Sequence, residues 1–241
     1  MDNPLHHFEL HHLIPIHLFS IDLSINQAVV MMWIVVGSVA LFFWSAARAP
    51  QLVPSKIQSL AELSVEFLRG LVMENMGERG MRFFPFIVTL FFFILFANLL
   101  GLIPGTYTIT SQLMVTGVFS IVVYVMSLIV GFAIHGTHFL SILIPPGTPV
   151  WLFPLMLPIE IISHLARPVT LALRLFANMT AGHTVLFVLF GMMLAGGALI
   201  GWLPFGFTVA VYLLEVIVAF IQAFIFTILA TVYLGDAIKL H

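Results

Sequence analysis

Leu171-Ala-Leu-Arg-Leu-Phe-Ala-Asn-Met-Thr-Ala-Gly-His183 is the stretch on which the reading of this chain turns. It sets Arg174 inside a long, mostly apolar run, residues 150–195. A guanidinium keeps its proton in a protein, so it cannot escape burial by becoming neutral. At the centre of a bilayer it costs at least ~2.5–3.5 kcal/mol on insertion scales. A cation held there has a partner as a rule, and the partner points to the function.

The rest of the chain agrees with a membrane setting. Of 241 residues, 61% are hydrophobic and 7% charged, with a mean hydropathy of +1.17. A soluble domain carries roughly 25% charged residues, and a chain of this size with so few cannot cover its surface in water. The expected class is an all-α integral membrane protein forming a single membrane domain over residues 1–241. The net charge of −2 excludes little, but the eight Lys and Arg form no basic run, so no nucleic acid partner is expected. The absence of cysteine excludes disulfide and thiol chemistry. The first residues lack the basic region of a signal peptide, and the first span is expected to act as the insertion signal.

Residues 1–26 form a mixed segment holding His6, His7, His11, His12 and His17. The histidine spacings would bring imidazoles near one another, but no acid or cysteine completes a ligand set, so no metal is assigned. Residues 27–47 are long enough, at ~20 residues, to span, and Arg48 and Pro50 stop the run. In residues 51–79, Ile57, Leu60, Leu63, Ser64, Phe67, Leu68 and Leu71 recur at helical steps against Lys56, Glu62, Glu66, Arg69 and Glu74. That is an amphipathic helix, lying at the interface or packed on another subunit. A second span follows at 83–103, rich in phenylalanines that are expected to meet lipid, and a third at 112–134. Residues 135–149 read as a loop. Residues 150–195 and 207–237 exceed the length of a perpendicular span. They are expected to form a tilted hairpin, with Pro158 and Pro168 as kink sites and a turn at Gly196-Gly197 and Pro204-Phe-Gly206. Arg48, Lys56, Arg69, Arg79 and Arg82 all fall between the first two spans, Lys239 ends the chain, and residues 1–25 hold no Lys or Arg. The positive-inside rule then puts the N-terminus outside and the C-terminus inside, which five crossings satisfy.

At 100° per residue, Glu160, Ser163, His164, Arg167, Arg174 and Asn178 share a sector of about 100°. A polar seam of this kind must face protein or water. Arg167 either pairs with Glu160 or reaches the membrane interface. His183 points to roughly the opposite side of the helix, ~13 Å further along. The last helix adds Glu215 and Gln222 on one face, and in an antiparallel hairpin His183 and Glu215 could meet. Asn178 and Gln222 suit either a pore lining or an interhelical hydrogen bond. Asn98 suits helix packing. His183 and Glu215 titrate; Arg174 does not. A permanent cation between two aqueous paths blocks a direct proton leak. It also favours the ionised form of a passing carboxylate, whereas away from it, in lipid, that carboxylate must be neutral.

Three segments, Arg174-Leu-Phe-Ala-Asn-Met-Thr-Ala-Gly182, Asn98-Leu-Leu-Gly-Leu-Ile-Pro-Gly105 and Gln222-Ala-Phe-Ile-Phe226, closely resemble subunit a of the F-type rotary ATP synthase, the stator of its membrane sector. The resemblance covers nearly the whole chain. It implies proton translocation through two offset half-channels, coupled to rotation of a ring of c subunits bearing membrane carboxylates. It implies peripheral-stalk b subunits and the rest of the synthase as further partners, within the lipid bilayer. Arg174 matches the arginine that faces the ring. Asn178, His183, Glu215 and Gln222 match positions of the outer half-channel, Glu160 and Ser163 positions near the inner one, and Arg167 a basic position on the same helix. Some relatives carry an acid at the position of His183 and a histidine at that of Glu215, an exchange that fits two residues of one relay.

The resemblance implies no active site and no cofactor in this chain. No Gly-x-x-x-x-Gly-Lys-Ser/Thr motif is present, and catalysis would belong to other subunits. The alternative is a stand-alone secondary cation/proton transporter, which would need a self-contained site and, as a rule, a repeat; none is apparent. The setting implied is a bacterial plasma membrane or a mitochondrial inner membrane.

Overall fold

The computed structural model describes residues 12–14, 17–18, 21–22, 25–48, 54–103, 106–143 and 152–239. His6, His7 and His11, and the Pro145-Pro-Gly147 segment, lie outside the described residues. Two short antiparallel ladders precede the helices: β1 (His12–Ile14) pairs with β4 (Ile25–Asn26), and β2 (His17–Leu18) with β3 (Ile21–Asp22). Among the described residues the membrane body is predominantly helical, and five of its helices are long and apolar enough to cross a membrane.

Helix α1 (Gln27–Ala47) has 21 residues, about 31 Å at 1.5 Å per residue, which matches a hydrocarbon core of about 30 Å. At its end the Arg48 guanidinium lies 4.9 Å over the Trp44 ring, an arrangement that keeps the charge at the membrane edge. Helix α2 (Lys56–Met76) starts at Ser55, whose side chain accepts from Gln58 N at 3.3 Å, and stops at Gly77 with φ +69°. Its apolar stripe divides. Leu68, Leu71, Val72 and Met76 are buried in the bundle, while Ile57, Leu60, Leu63 and Phe67 stay exposed. Phe67 still touches the Phe224 ring at 5.8 Å.

After a 3-10 turn at Glu78–Phe83, Pro85 sits in the first turn of α3 (Phe84–Gly101), where a missing N–H costs nothing. The phenylalanines of this region do not form the lipid-facing stripe expected from sequence. Phe91 and Phe92 are buried, and Phe92 packs on Phe42 and Phe43 of α1 with ring centroids 5.6 and 4.8 Å apart. The physical reason is position: α3 runs against α1, α2 and α6, so most of its circumference is covered. Helix α4 (Leu113–His135) buries Thr116, Ser120 and Ser127, and ends at Gly136 with φ +57°. The expected loop after it begins as a 3-10 helix, Gly136–Leu143, which lays Phe139 against Gly131; a Cβ there would lie 2.2 Å from the ring.

Helix α5 (Phe153–Ile200) and α6 (Trp202–Lys239) form the hairpin. At 48 residues, α5 is about 70 Å long at 1.5 Å per residue, roughly twice a perpendicular span, so it has to tilt. The backbone leaves helical geometry at Gly197 (φ 55°, ψ −161°), while Pro158 and Pro168 remain within the helix. The turn is shorter than expected. Pro204 to Gly206 already belong to α6, because a proline at the third helical position forfeits only an N–H that had no intrahelical partner.

A strip of small residues runs along α6. Ala219, Ala223, Thr227, Ala230, Thr231 and Gly235 are all buried, which lets neighbouring backbones approach as membrane helices require. At Gly235 an added Cβ would lie 2.7 Å from the Asn75 carbonyl oxygen of α2. Backbone cannot rotate away, so Gly235→Val should lower stability by about 1–3 kcal/mol. A thermal melt of the detergent-solubilised complex would show this as a lower transition; an unchanged melt would mean that α2 is not held at this point.

Candidate functional site

The polar residues of α5 gather with their neighbours at five successive places along the helix. At the start of α5, Glu160 Oε1 lies 3.6 Å from His164 Nε2. One turn on, Arg167 Nη1 donates to Asp236 Oδ2 at 3.4 Å, and its guanidinium lies 5.2 Å over the Tyr233 ring. This corrects the pairing of Arg167 with Glu160. Those two are separated by about 10 Å along the helix axis, whereas the hairpin brings the C-terminal end of α6 alongside. His164, Arg167, Tyr233 and Asp236 line a small cavity with Tyr124 and Ser127 of α4. Ser163 is exposed.

Arg174 comes next, and it is exposed on the chain's own surface. Its neighbours Leu171 and Leu175 are buried, at 1% and 0% exposure, so the exposed guanidinium lies at the margin of the subunit's packed core. The exposed α5 residues within a turn of it are Thr170, Leu173, Ala177 and Asn178, on a helix that is otherwise mostly apolar. Among the described residues, no carboxylate of this chain lies within ion-pairing distance of Arg174. A charge in such a surface needs an acid supplied from elsewhere.

One turn beyond, Asn178 Nδ2 donates to Gln222 Oε1 at 2.9 Å. Gln222 is 1% exposed and its amide nitrogen has no further protein acceptor among the described residues. This bond ties α5 to α6 between Arg174 and the last group. Asn98 donates to the Ala219 carbonyl at 3.3 Å and is buried, in keeping with helix packing.

The last group holds His183 and Glu215. His183 Nε2 lies 3.0 Å from Thr108 Oγ1. Glu215 is 8% exposed, and neither carboxyl oxygen has a protein hydrogen-bond partner among the described residues. It rests on the backbone of α5, where a Cβ on Gly182 would lie 2.1 Å from Oε1. The hairpin therefore seats Glu215 against Gly182, the residue before His183, while the imidazole bonds Thr108; among the described residues no hydrogen bond or ion pair joins His183 to Glu215. A buried carboxyl without a cation in contact is not half of a structural ion pair. Its two protonation states differ by the full cost of burying charge, so its protonation responds to whatever approaches it.

Sequence reasoning missed Thr108, Asp236 and the seat at Gly182. Asp236 had a signal, an acid near the end of an otherwise apolar helix. Thr108 had none, since it lies in a connection without periodicity. Among the described residues, no three His, Cys, Asp or Glu side chains gather as a metal site.

Comparison with known proteins supplies the family. The sequence profile described as ATP synthase A chain matches residues 29–235. The chain belongs to that family. It is 40% identical over 241 residues to ATP synthase subunit a of Rhodospirillum rubrum, covering 100% of both chains. It is 46% identical to ATP synthase subunit a of Magnetococcus marinus, over 99% of this chain and 94% of that one. With the subunit of the same description from Acidiphilium cryptum it shares 46% identity over 90% of this chain and 88% of the other. As a member of the ATP synthase A chain family with five candidate spans, it is an integral membrane protein.

Proposed function

We propose that this chain is the proton-translocating stator subunit of a rotary ATP synthase, and that Arg174 is the fixed charge past which the carboxylates of a c-subunit ring move. The observation that carries the reading is the exposure of Arg174 on a membrane-spanning helix, with no carboxylate within ion-pairing distance of it among the described residues. A ring of membrane carboxylates is the partner whose chemistry satisfies it. Each carboxylate crosses lipid neutral and ionises opposite the guanidinium, which makes the charged form more favourable.

Two groups of polar residues flank Arg174 along α5 and give the two offset proton paths. One is Asn178, Gln222, His183 and Glu215, toward the hairpin turn. The other is Glu160, Ser163, His164 and Arg167, with Asp236, toward the C-terminus. The distribution of Lys and Arg assigns the first to the outer side and the second to the inner side, with the N-terminus outside. Peripheral-stalk b subunits hold the chain still, and the setting is a bacterial plasma membrane. Family membership and the exposed arginine both favour this over a stand-alone transporter.

The chain has no cysteine, so a single introduced thiol reports one position. Ala177 is exposed and lies three residues from Arg174, while Ala172 is buried. Ala177→Cys should form a disulfide, on oxidation of the intact complex, with a cysteine placed beside the ring carboxylate, and Ala172→Cys should not. Failure of Ala177→Cys to cross-link, or equal yields at both positions, would place the ring elsewhere.

A further inference from the structure

Thr108 makes two contacts with a hydroxyl that has one proton. Its Oγ1 lies 3.1 Å from the Gly101 carbonyl oxygen and 3.0 Å from His183 Nε2. Gly101 ends α3, so its carbonyl is among those left without an intrahelical donor. A carbonyl only accepts, whereas a threonine hydroxyl donates once and accepts through its lone pairs. Both contacts bond together in one arrangement alone. The hydroxyl proton goes to Gly101, and the imidazole donates Nε2–H to Thr108 Oγ1. The reverse, a hydroxyl donating to a bare Nε2, leaves oxygen lone pairs facing the Gly101 carbonyl in a buried site, an unfavourable contact.

The seat is built for this. Thr108 is 7% exposed. A Cβ at Gly101 would lie 2.8 Å from Thr108 Cγ2 and 3.1 Å from its Oγ1, so a residue without a side chain is what lets the threonine down onto the helix end. Ser111 donates from its backbone N and its Oγ to the Thr108 carbonyl, at 3.3 and 2.7 Å. Thr106 caps the Leu100 carbonyl at 2.7 Å.

We propose that Thr108 is a positioning residue that holds His183 in the tautomer protonated at Nε2, so that proton exchange at this histidine runs through Nδ1. The proposal rests on the reading of His183 as a relay group. A neutral ring takes one proton on Nδ1, becomes imidazolium, and on releasing it from Nδ1 returns to the starting tautomer; Thr108 neither gains nor loses a proton. The titratable groups nearest this region are Glu215 from α6 and Tyr107 from the connection that carries Thr108; Arg174 lies nine residues earlier on α5, on the opposite side of the helix.

The test uses the whole reconstituted complex labelled with 15N-histidine. His183 is assigned by difference from His183→Gln, and its neutral ring is read by solid-state NMR. The wild type should show the Nε2–H tautomer alone. Thr108→Val, which keeps the shape and removes the acceptor, should mix the tautomers and lower proton-driven ATP synthesis about tenfold or more. Thr108→Ser should restore both. Where the valine variant does not assemble, Thr108→Ala gives the same reading. An Nδ1–H tautomer in the wild type, or an unaltered tautomer in Thr108→Val, overturns the positioning role. Mixed tautomers with an undiminished synthesis rate uphold the hold of Thr108 on the ring and overturn the relay reading of His183 instead.

Discussion

Arg174→Ala abolishes proton-driven ATP synthesis and leaves the membrane permeable to protons. The expected loss follows from the charge. A cation within about 4–6 Å makes ionisation of a carboxyl about 10- to 1000-fold more favourable. Without it, a ring carboxylate passing α5 has no reason to part with its proton, and rotation stops. The leak has a separate origin. Arg174 lies between the Asn178–Gln222 bond and the Arg167–Asp236 pair, and a fixed positive charge there repels a proton moving directly from one side to the other. Arg174→Lys should fail as well, because a lysine in an apolar surface can lose its proton and lacks the planar fork. Synthesis and passive proton uptake are both measured in reconstituted vesicles. ATP-driven pumping retained in the alanine variant would remove the arginine from its assigned place.

The second large effect is expected at Glu215. Glutamine has the same outline and fits against Gly182, but it cannot carry a proton. Glu215→Gln should therefore slow synthesis by about tenfold or more, with normal assembly. Because Glu215 rests against Gly182, the residue before His183, a shared relay would make the exchange His183→Glu with Glu215→His retain more activity than either single change. Rates that combine additively across that cycle would mean that the two act separately. A Glu215→Gln complex that synthesises ATP at the normal rate would take Glu215 out of the proton path.

What could be read in advance followed from periodicity and from the price of burying charge. The five spans, the amphipathic helix after the first, and the sector holding Arg174 and Asn178 all depend on spacing along one helix. Asn178 and Gln222 were each expected to line a pore or to bond across helices, and the structure joins them to each other. The ion pair of Arg167 was misread because i, i+7 spacing offered Glu160, and nothing in spacing says how far α6 runs past the start of α5. The phenylalanines of α3 were misread for a different reason. In a bilayer, lipid and protein interior are equally apolar, so hydrophobicity alone does not tell an outward face from an inward one. Thr108 was invisible because its role depends on how a non-helical connection folds over a helix end.

The small-residue strip on α6 has a mechanical consequence. With Ala219, Ala223, Ala230 and Gly235 buried, and backbone meeting backbone at Gly235 and Asn75, the last helix has almost no slack in which to slide or twist. Under the proposed function this stiffness is what a wall beside a turning ring requires, since any give would blur the spacing between the two proposed proton entrances.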